Sequence, residues 1–272
     1  MKLDGELLLV GCGKMGGAML EGWLGRGLPP KDVAIVEPNT EIGGALQSRG
    51  LRHFADARAL PETFAPAVVV LAVKPQMMDG AAAGVARLTG PGTLLLSIAA
   101  GKTLGYFGRR FGAGAAVIRA MPNTPAAVGR GITVAVANAR VTSAQRASAA
   151  ALLAAVGEVA WVEEEPLIDA VTAVSGGGPA YVFLLMEVLA RAGVAAGLSE
   201  ELAERLARKT VEGAGELSCR SDEAPAVLRK HVTSPGGTTL EALKILMAED
   251  GLQPLFTRAV AAATRRSREL AD

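Results

Sequence analysis

Near the C-terminal end of this 272-residue chain, Thr233-Ser234-Pro235-Gly236-Gly237-Thr238-Thr239 runs into residues with helical spacing, Leu240, Leu243, Leu246 and Met247. A proline and two glycines ahead of such a run describe a tight turn feeding a helix N-terminus. A helix start presents unpaired backbone N–H groups and a partial positive charge, and glycine lets an anion approach them closely. The hydroxyls of Ser234, Thr238 and Thr239 surround the same point. The chemistry these residues suit is the grip of a small carboxylate.

A second constellation lies at the other end. Gly11-Cys12-Gly13-Lys14-Met15-Gly16 follows the apolar run Leu7–Val10 and opens a helical pattern. In that setting the glycines permit a tight turn, close approach of a pyrophosphate and helix–strand packing, so the segment reads as a dinucleotide-binding turn. A purely structural glycine turn is the alternative, and Cys12 reads as a small filler rather than a reactive thiol. Glu37 ends the next apolar run, about twenty residues on, where an acid accepts hydrogen bonds from the adenosine ribose and repels a 2′-phosphate. That tilts the reading towards NADH, with an exposed strand-end carboxylate as the alternative. Ala72-Val73-Lys74-Pro75 follows a later run, where Lys74 is either a cofactor contact or a solvated loop lysine. Ala99-Ala100-Gly101 and Met121–Pro125 fall on the same edge and suit a wall for a flat nicotinamide. Ser175-Gly176-Gly177-Gly178-Pro179 opens an apolar helix, either beside the reacting groups or only to let helices cross closely. A nucleotide turn and a carboxylate turn together describe a reductase with a small acidic substrate.

The elements that must position these residues are legible as runs. Leu7–Val10, Val33–Val36, Val68–Val73, Thr93–Ile98 and Ala115–Ile118 are continuous and apolar, as strands buried on both faces of a parallel sheet are. Helical patterns at Met15–Leu24, Glu41–Gln47 and Met77–Leu88 lie between them, and Ile132–Val136 and Glu158–Val162 flank a helix that Ser143 is placed to cap. The alternation predicts a doubly wound α/β sheet of eight strands or fewer. From Pro166 onward the strand signal stops. Ala180–Ala196 is apolar almost all round, Ser199 caps Glu200–Leu217, and shorter helices follow at Pro225–His231, Thr239–Ala248 and Leu252–Leu270. The expected division is a dinucleotide-binding domain over residues 1–165 and a helical domain over 166–272. A helix as apolar as Ala180–Ala196 needs cover on nearly every side, which a second chain would provide.

Composition narrows the function further. The 28 basic and 27 acidic residues nearly cancel, and no basic block suits nucleic acid or an anionic membrane surface. Two cysteines, Cys12 and Cys219, and two histidines, His53 and His231, give neither a disulfide framework, a metal-ligand spacing nor a hydrolase triad. No signal peptide and no apolar run near the roughly 18 residues of a membrane span are expected, so the expectation is a soluble cytoplasmic protein.

The motifs GCGKMGGAM (11–19), LAVKPQ (71–76), SIAAG (97–101), AMPNTP (120–125), SGGGPAY (175–181) and TSPGGTT (233–239) occur in that order. In this the chain closely resembles the pyrroline-5-carboxylate reductases along essentially its whole length. The resemblance implies a Rossmann-like N-terminal domain, an all-α C-terminal dimerisation domain, and a homodimer that often assembles into larger rings. It implies reduction of 1-pyrroline-5-carboxylate to L-proline, the last step of proline biosynthesis, with NADPH or NADH as cofactor. By position it places Gly11, Gly13, Met15 and Gly16 on the pyrophosphate and Val73, Lys74 and Gly101 along the cofactor. Substrate contacts fall on Glu165, His231, Thr238 and Thr239 with Ser234 alongside. The Gly236–Thr239 backbone would hold the carboxylate, and the Thr239 hydroxyl would meet the ring nitrogen. Two departures stand out: His231 sits where relatives often carry Asn, and Phe54-Ala55-Asp56-Ala57 has no match for an Asn that helps bind the adenosine phosphate in some members.

Two other classes compete. A β-hydroxyacid dehydrogenase or another cyclic-imine reductase is one, but Ala180–Gly197 holds Glu187 and Arg191 and no lysine of the kind those hydroxyacid enzymes use. A dinucleotide sensor is the other, and it has no use for a carboxylate turn.

Overall fold

The computed structural model describes residues 3–271. Its strands are β1 (Leu7–Val10), β2 (Val33–Val36), β3 (Arg52–Phe54), β4 (Val68–Leu71), β5 (Leu94–Ser97), β6 (Ala116–Met121), β7 (Gly131–Ala137) and β8 (Gly157–Trp161). They join in one sheet of order β3-β2-β1-β4-β5-β6-β7-β8. All pairings are parallel except β6 with β7, which is antiparallel. The helices are α1 (Lys14–Gly25), α2 (Thr40–Ser48), α3 (Met78–Val85), α4 (Leu104–Phe111), α5 (Ser143–Leu153), α6 (Leu167–Val171), α7 (Gly178–Ala195), α8 (Glu200–Arg220), α9 (Pro225–His231), α10 (Thr238–Leu246) and α11 (Leu252–Glu269).

The continuous apolar runs form strands because each face of the sheet has its own core. Leu7 and Leu9 point into a cluster with Met19, Leu20 and Trp23 of α1 and Leu152 and Leu153 of α5. Leu8 and Val10 point the other way, against Met78 and Val85 of α3 and Tyr106 and Phe107 of α4. Each leucine fully buried in this way contributes about 1.5–3 kcal/mol. The Trp23 indole N–H donates to the Leu152 carbonyl at 2.9 Å and ties α1 to α5. Since β1 lies between β2 and β4, the strand order reverses beside it, and a crevice opens at the strand C-termini there.

Several details differ from the sequence reading. β3 and α4 are additional: β3 is a three-residue edge strand without an apolar run, and glycines interrupt the pattern of α4. β4 stops at Leu71, which leaves Ala72 and Val73 in the crevice loop. Thr142, not Ser143, caps α5, because its hydroxyl accepts from the Gln145 N–H while the Gln145 side chain accepts from the Thr142 N–H.

Two compact units are present: Met1–Gly176 with Ala263–Asp272, and Gly177–Ala262. The first carries the sheet. In the second, α7 and α8 form a hairpin turned at Gly197, whose φ of 98° suits glycine, and Gly193 comes close to Ala203. The Ser199 hydroxyl accepts from the Leu202 N–H and caps α8. Val182, Phe183, Leu184, Leu185, Val188 and Leu189 of α7 are all exposed in the single chain. Contrary to the sequence expectation, the 29-residue helical run Leu167–Ala195 is long and apolar enough to span a bilayer, by length and composition only.

Candidate active site

The first unit holds the dinucleotide turn. Gly11, at φ 91°, leaves no room for a Cβ, which would lie 2.7 Å from the Ala72 carbonyl oxygen. Gly16 is tighter still, since a Cβ there would lie 2.2 Å from the Gly11 carbonyl oxygen. Gly13 has open space beside it, and Lys14 starts α1 with Gly13 as its N-cap and no side chain capping the helix. Two glycines therefore close the turn, and the third keeps clear the space that an anion at a helix N-terminus would fill. The residues fit a dinucleotide pyrophosphate. Gly13 and Lys14 are exposed, Met15 is half-buried, and Cys12 is buried. Burial, with a smaller effect of Glu37, pushes the Cys12 thiol up to about 11, so it stays neutral and serves as filler.

Glu37 is buried at the end of β2. Its Oε2 accepts from the Cys12 N–H at 2.7 Å, and its Oε1 from the Asn39 N–H at 2.9 Å. The predicted ribose acceptor thus also binds the phosphate turn to β2. The His53 Nε2–H donates to the Glu37 carbonyl at 2.8 Å, with the ring seated against Gly43. Val73 is half-buried along the crevice, while Lys74 and Pro75 are exposed where a short 3₁₀ turn begins. Ala72 donates its N–H to the Val10 carbonyl, so it continues the β1–β4 ladder past the strand ends. Gly101, at φ 73°, is buried, and a Cβ on it would lie 2.6 Å from the Leu270 carbonyl oxygen. Its glycine is required by the C-terminal end of α11, a constraint that no local motif announces.

One further group in this unit, and one contact of a residue already named, escaped the sequence reading. Arg119, on β6, is buried and donates to Glu165 Oε1 at 3.1 Å. The same oxygen accepts from the Leu104 N–H at 2.7 Å, so Oε2 carries neither bond. The signal was present as one arginine inside the apolar run Ala116–Met121. Asn123 donates to the Ser175 hydroxyl at 3.2 Å and accepts from the Ile132 N–H at 3.0 Å, joining the loop read as a nicotinamide wall to the glycine-rich segment that begins at Ser175. A Cβ on Gly176 would lie 2.6 Å from the Met121 terminal methyl, the movable end of that side chain.

The second unit holds the carboxylate turn. Gly236 takes φ 68°, and the Gly237 N–H donates to the Ser234 carbonyl at 3.0 Å. Gly237 is the N-cap of α10, and no side chain caps this start. The Leu240 and Glu241 N–H groups turn back to the Gly237 carbonyl, which leaves those of Thr238 and Thr239 at the tip. Ser234, Gly236, Thr238 and Thr239 are exposed and Gly237 is half-buried. His231 ends α9, with its Nδ1 3.3 Å from Glu223 Oε2. Among the described residues no group of three or more His, Cys, Asp or Glu is placed to hold a metal ion.

The geometry has clear counterparts among known proteins. Residues 165–270 match the family model for pyrroline-5-carboxylate reductase dimerisation, and residues 6–101 match that for NADP oxidoreductase coenzyme F420-dependent. A pyrroline-5-carboxylate reductase of Pseudomonas aeruginosa is 40% identical over 98% of this chain and 97% of its own length. The solved pyrroline-5-carboxylate reductase of Coxiella burnetii superimposes with a TM-score of 0.91 at 33% identity, covering 99% of this chain and 100% of that one. A Plasmodium falciparum pyrroline carboxylate reductase solved with NADP bound has a TM-score of 0.79 at 28% identity, covering 99% of each chain.

Proposed function

Because this chain belongs to the pyrroline-5-carboxylate reductase family, we infer that it reduces 1-pyrroline-5-carboxylate to L-proline with NAD(P)H, in the last step of proline biosynthesis. The observation that carries the residue assignment is the uncapped start of α10. Two backbone N–H groups and the helix dipole there suit a carboxylate, and the hydroxyls of Ser234, Thr238 and Thr239 add donors. Gly236 and Gly237 let the anion approach. His231 and Glu165 are the remaining substrate contacts, with Glu165 presenting Oε2 while Arg119 and the Leu104 N–H hold Oε1.

Gly11, Cys12, Gly13, Lys14, Met15 and Gly16 hold the pyrophosphate in this reading, and Ala72, Val73, Lys74, Pro75 and Gly101 line the crevice. The reduced nicotinamide, when bound, supplies a hydride for the imine carbon. A cyclic imine takes its proton from solvent in part at neutral pH, so the task of Thr239 is to orient the ring nitrogen rather than to act as a strong acid. Catalysis then rests on positioning and electrostatics.

A second copy of the chain covers the exposed apolar face of α7, giving a homodimer, and a ring of dimers is the larger assembly. A match to a dimerisation family model over the same residues supports this. Such cover would also account for the apolar length of Leu167–Ala195 without a membrane, and a cytoplasmic location follows from the reading. The test is turnover of purified protein with 1-pyrroline-5-carboxylate and each reduced cofactor, with proline identified as product. Failure of folded protein to oxidise either cofactor would sink the substrate assignment.

A further inference from the structure

The first unit contains a cavity of about 420 Å³ at the C-terminal ends of β1, β2 and β3, lined by Val10, Gly11, Val36, Pro38, Asp56 and the first turns of α3, among others. It begins at the phosphate turn and extends towards β3, the side on which a doubly wound fold seats the adenosine half of a dinucleotide. No lysine, arginine or histidine is among the residues lining it. The one charged lining residue is Asp56.

The nearest arginine in sequence is turned to other use. Arg58 gives Asp56 two side-chain hydrogen bonds, Nε to Oδ1 at 3.0 Å and Nη2 to Oδ2 at 2.7 Å, and its backbone N–H donates to Oδ1 at 2.8 Å. The Arg58 side chain is 84% exposed and does not line the cavity. This pairing holds the Asp56 carboxyl down at about 2, so it is charged throughout the working range. Glu37 stands in sequence between the lining residues Val36 and Pro38, and its carboxylate accepts from the Cys12 and Asn39 N–H groups.

A ribose 2′-hydroxyl is a hydrogen-bond donor and suits an acidic wall. A 2′-phosphate brings roughly −1.5 to −2 charges and needs an arginine or lysine facing it. We propose that Asp56, with Glu37 behind it, selects NADH over NADPH, and that it does so partly by holding Arg58 out of the adenosine cavity. This inference rests on the NAD(P)H reading above, and it assigns the preference within that reading to two named carboxylates and one sequestered arginine.

The experiment is equilibrium calorimetric titration of the full-length protein with NADH and with NADPH, with no imine present. The wild type is expected to bind NADH at least tenfold more tightly. Asp56→Asn keeps Oδ1 as an acceptor but removes the charge and the Oδ2–Nη2 bond that hold the guanidinium, and is expected to lower that ratio at least fivefold. Adding Arg58→Ala to Asp56→Asn should remove most of the NADPH affinity gained, and Arg58→Ala alone should leave the ratio unchanged. Should Asp56→Asn fail to fold, Asp56→Ser tests the same release of Arg58. Wild-type preference for NADPH would overturn the inference, as would weaker NADPH binding in Arg58→Ala alone, or an unchanged ratio in a folded Asp56 variant. Binding of neither dinucleotide would instead overturn the cofactor reading, and this inference with it.

Discussion

Thr239 tests the substrate assignment at a single atom. Its hydroxyl is exposed at the tip of α10, beside the backbone N–H groups left by the Gly237 cap. Thr239→Ala removes one charge-assisted hydrogen bond, about 1.5–3 kcal/mol, which corresponds to about 10- to 150-fold in kcat/KM. A loss below twofold would take this hydroxyl out of the reaction. Cys12 makes the opposite prediction. With its thiol pushed to about 11 by burial, it should resist alkylation in the folded protein at neutral pH and react once the protein is unfolded, as peptide mapping would reveal. The unfolded thiol ionises first as pH rises, so this group's contribution to stability is present below the ordinary thiol value and is lost as pH climbs through about 11. The residue types of both turns were legible because glycine, proline and hydroxyl side chains cluster there. The hydrogen bonds that hold Glu37 and Glu165 were not legible. Asn39 is a sequence neighbour of Glu37, but the other donors to their oxygens, Cys12, Arg119 and Leu104, are brought near only by the folded sheet.

The phosphate turn is the element whose glycines separate fold from function. Gly16→Ala forces a Cβ to within 2.2 Å of the Gly11 carbonyl oxygen, so the turn must shift. It should cost about 1–3 kcal/mol of stability and weaken dinucleotide binding as well. Gly13→Ala meets open space, so its unfolding midpoint should stay near wild type while cofactor Kd rises, because the new methyl stands where the pyrophosphate would lie. Equal destabilisation by both substitutions, in calorimetric melts, would contradict this division. Among the other elements, the valine and leucine runs announced β1, β2, β4, β5 and β6, since strands buried on both faces must be continuously apolar. β3 gave no such signal because Arg52-His53-Phe54 is a half-buried edge. The antiparallel direction of β7 was hidden too, because a strand's composition does not record which way it runs.

For the molecule as a whole, the exposed face of α7 is the feature that a single chain leaves unexplained. Leu184, Leu185, Val188 and Leu189 would not persist in water without cover. Sedimentation should therefore find the protein at twice the mass of the chain or a multiple of it, and Leu185→Glu should weaken that association at least tenfold; a monomeric wild type would contradict the assembly. The apolar sequence of this helix foretold the need for cover, but it did not supply the partner's geometry. The central claim is that the protein reduces a cyclic imine held by its carboxylate. The most direct test compares kcat/KM for 1-pyrroline-5-carboxylate with that for 1-pyrroline, the same ring without the carboxylate. Loss of the charge-assisted bonds at the α10 start predicts a fall of about 100-fold or more, equivalent to about 2.7 kcal/mol. Comparable values for the two imines would contradict the account.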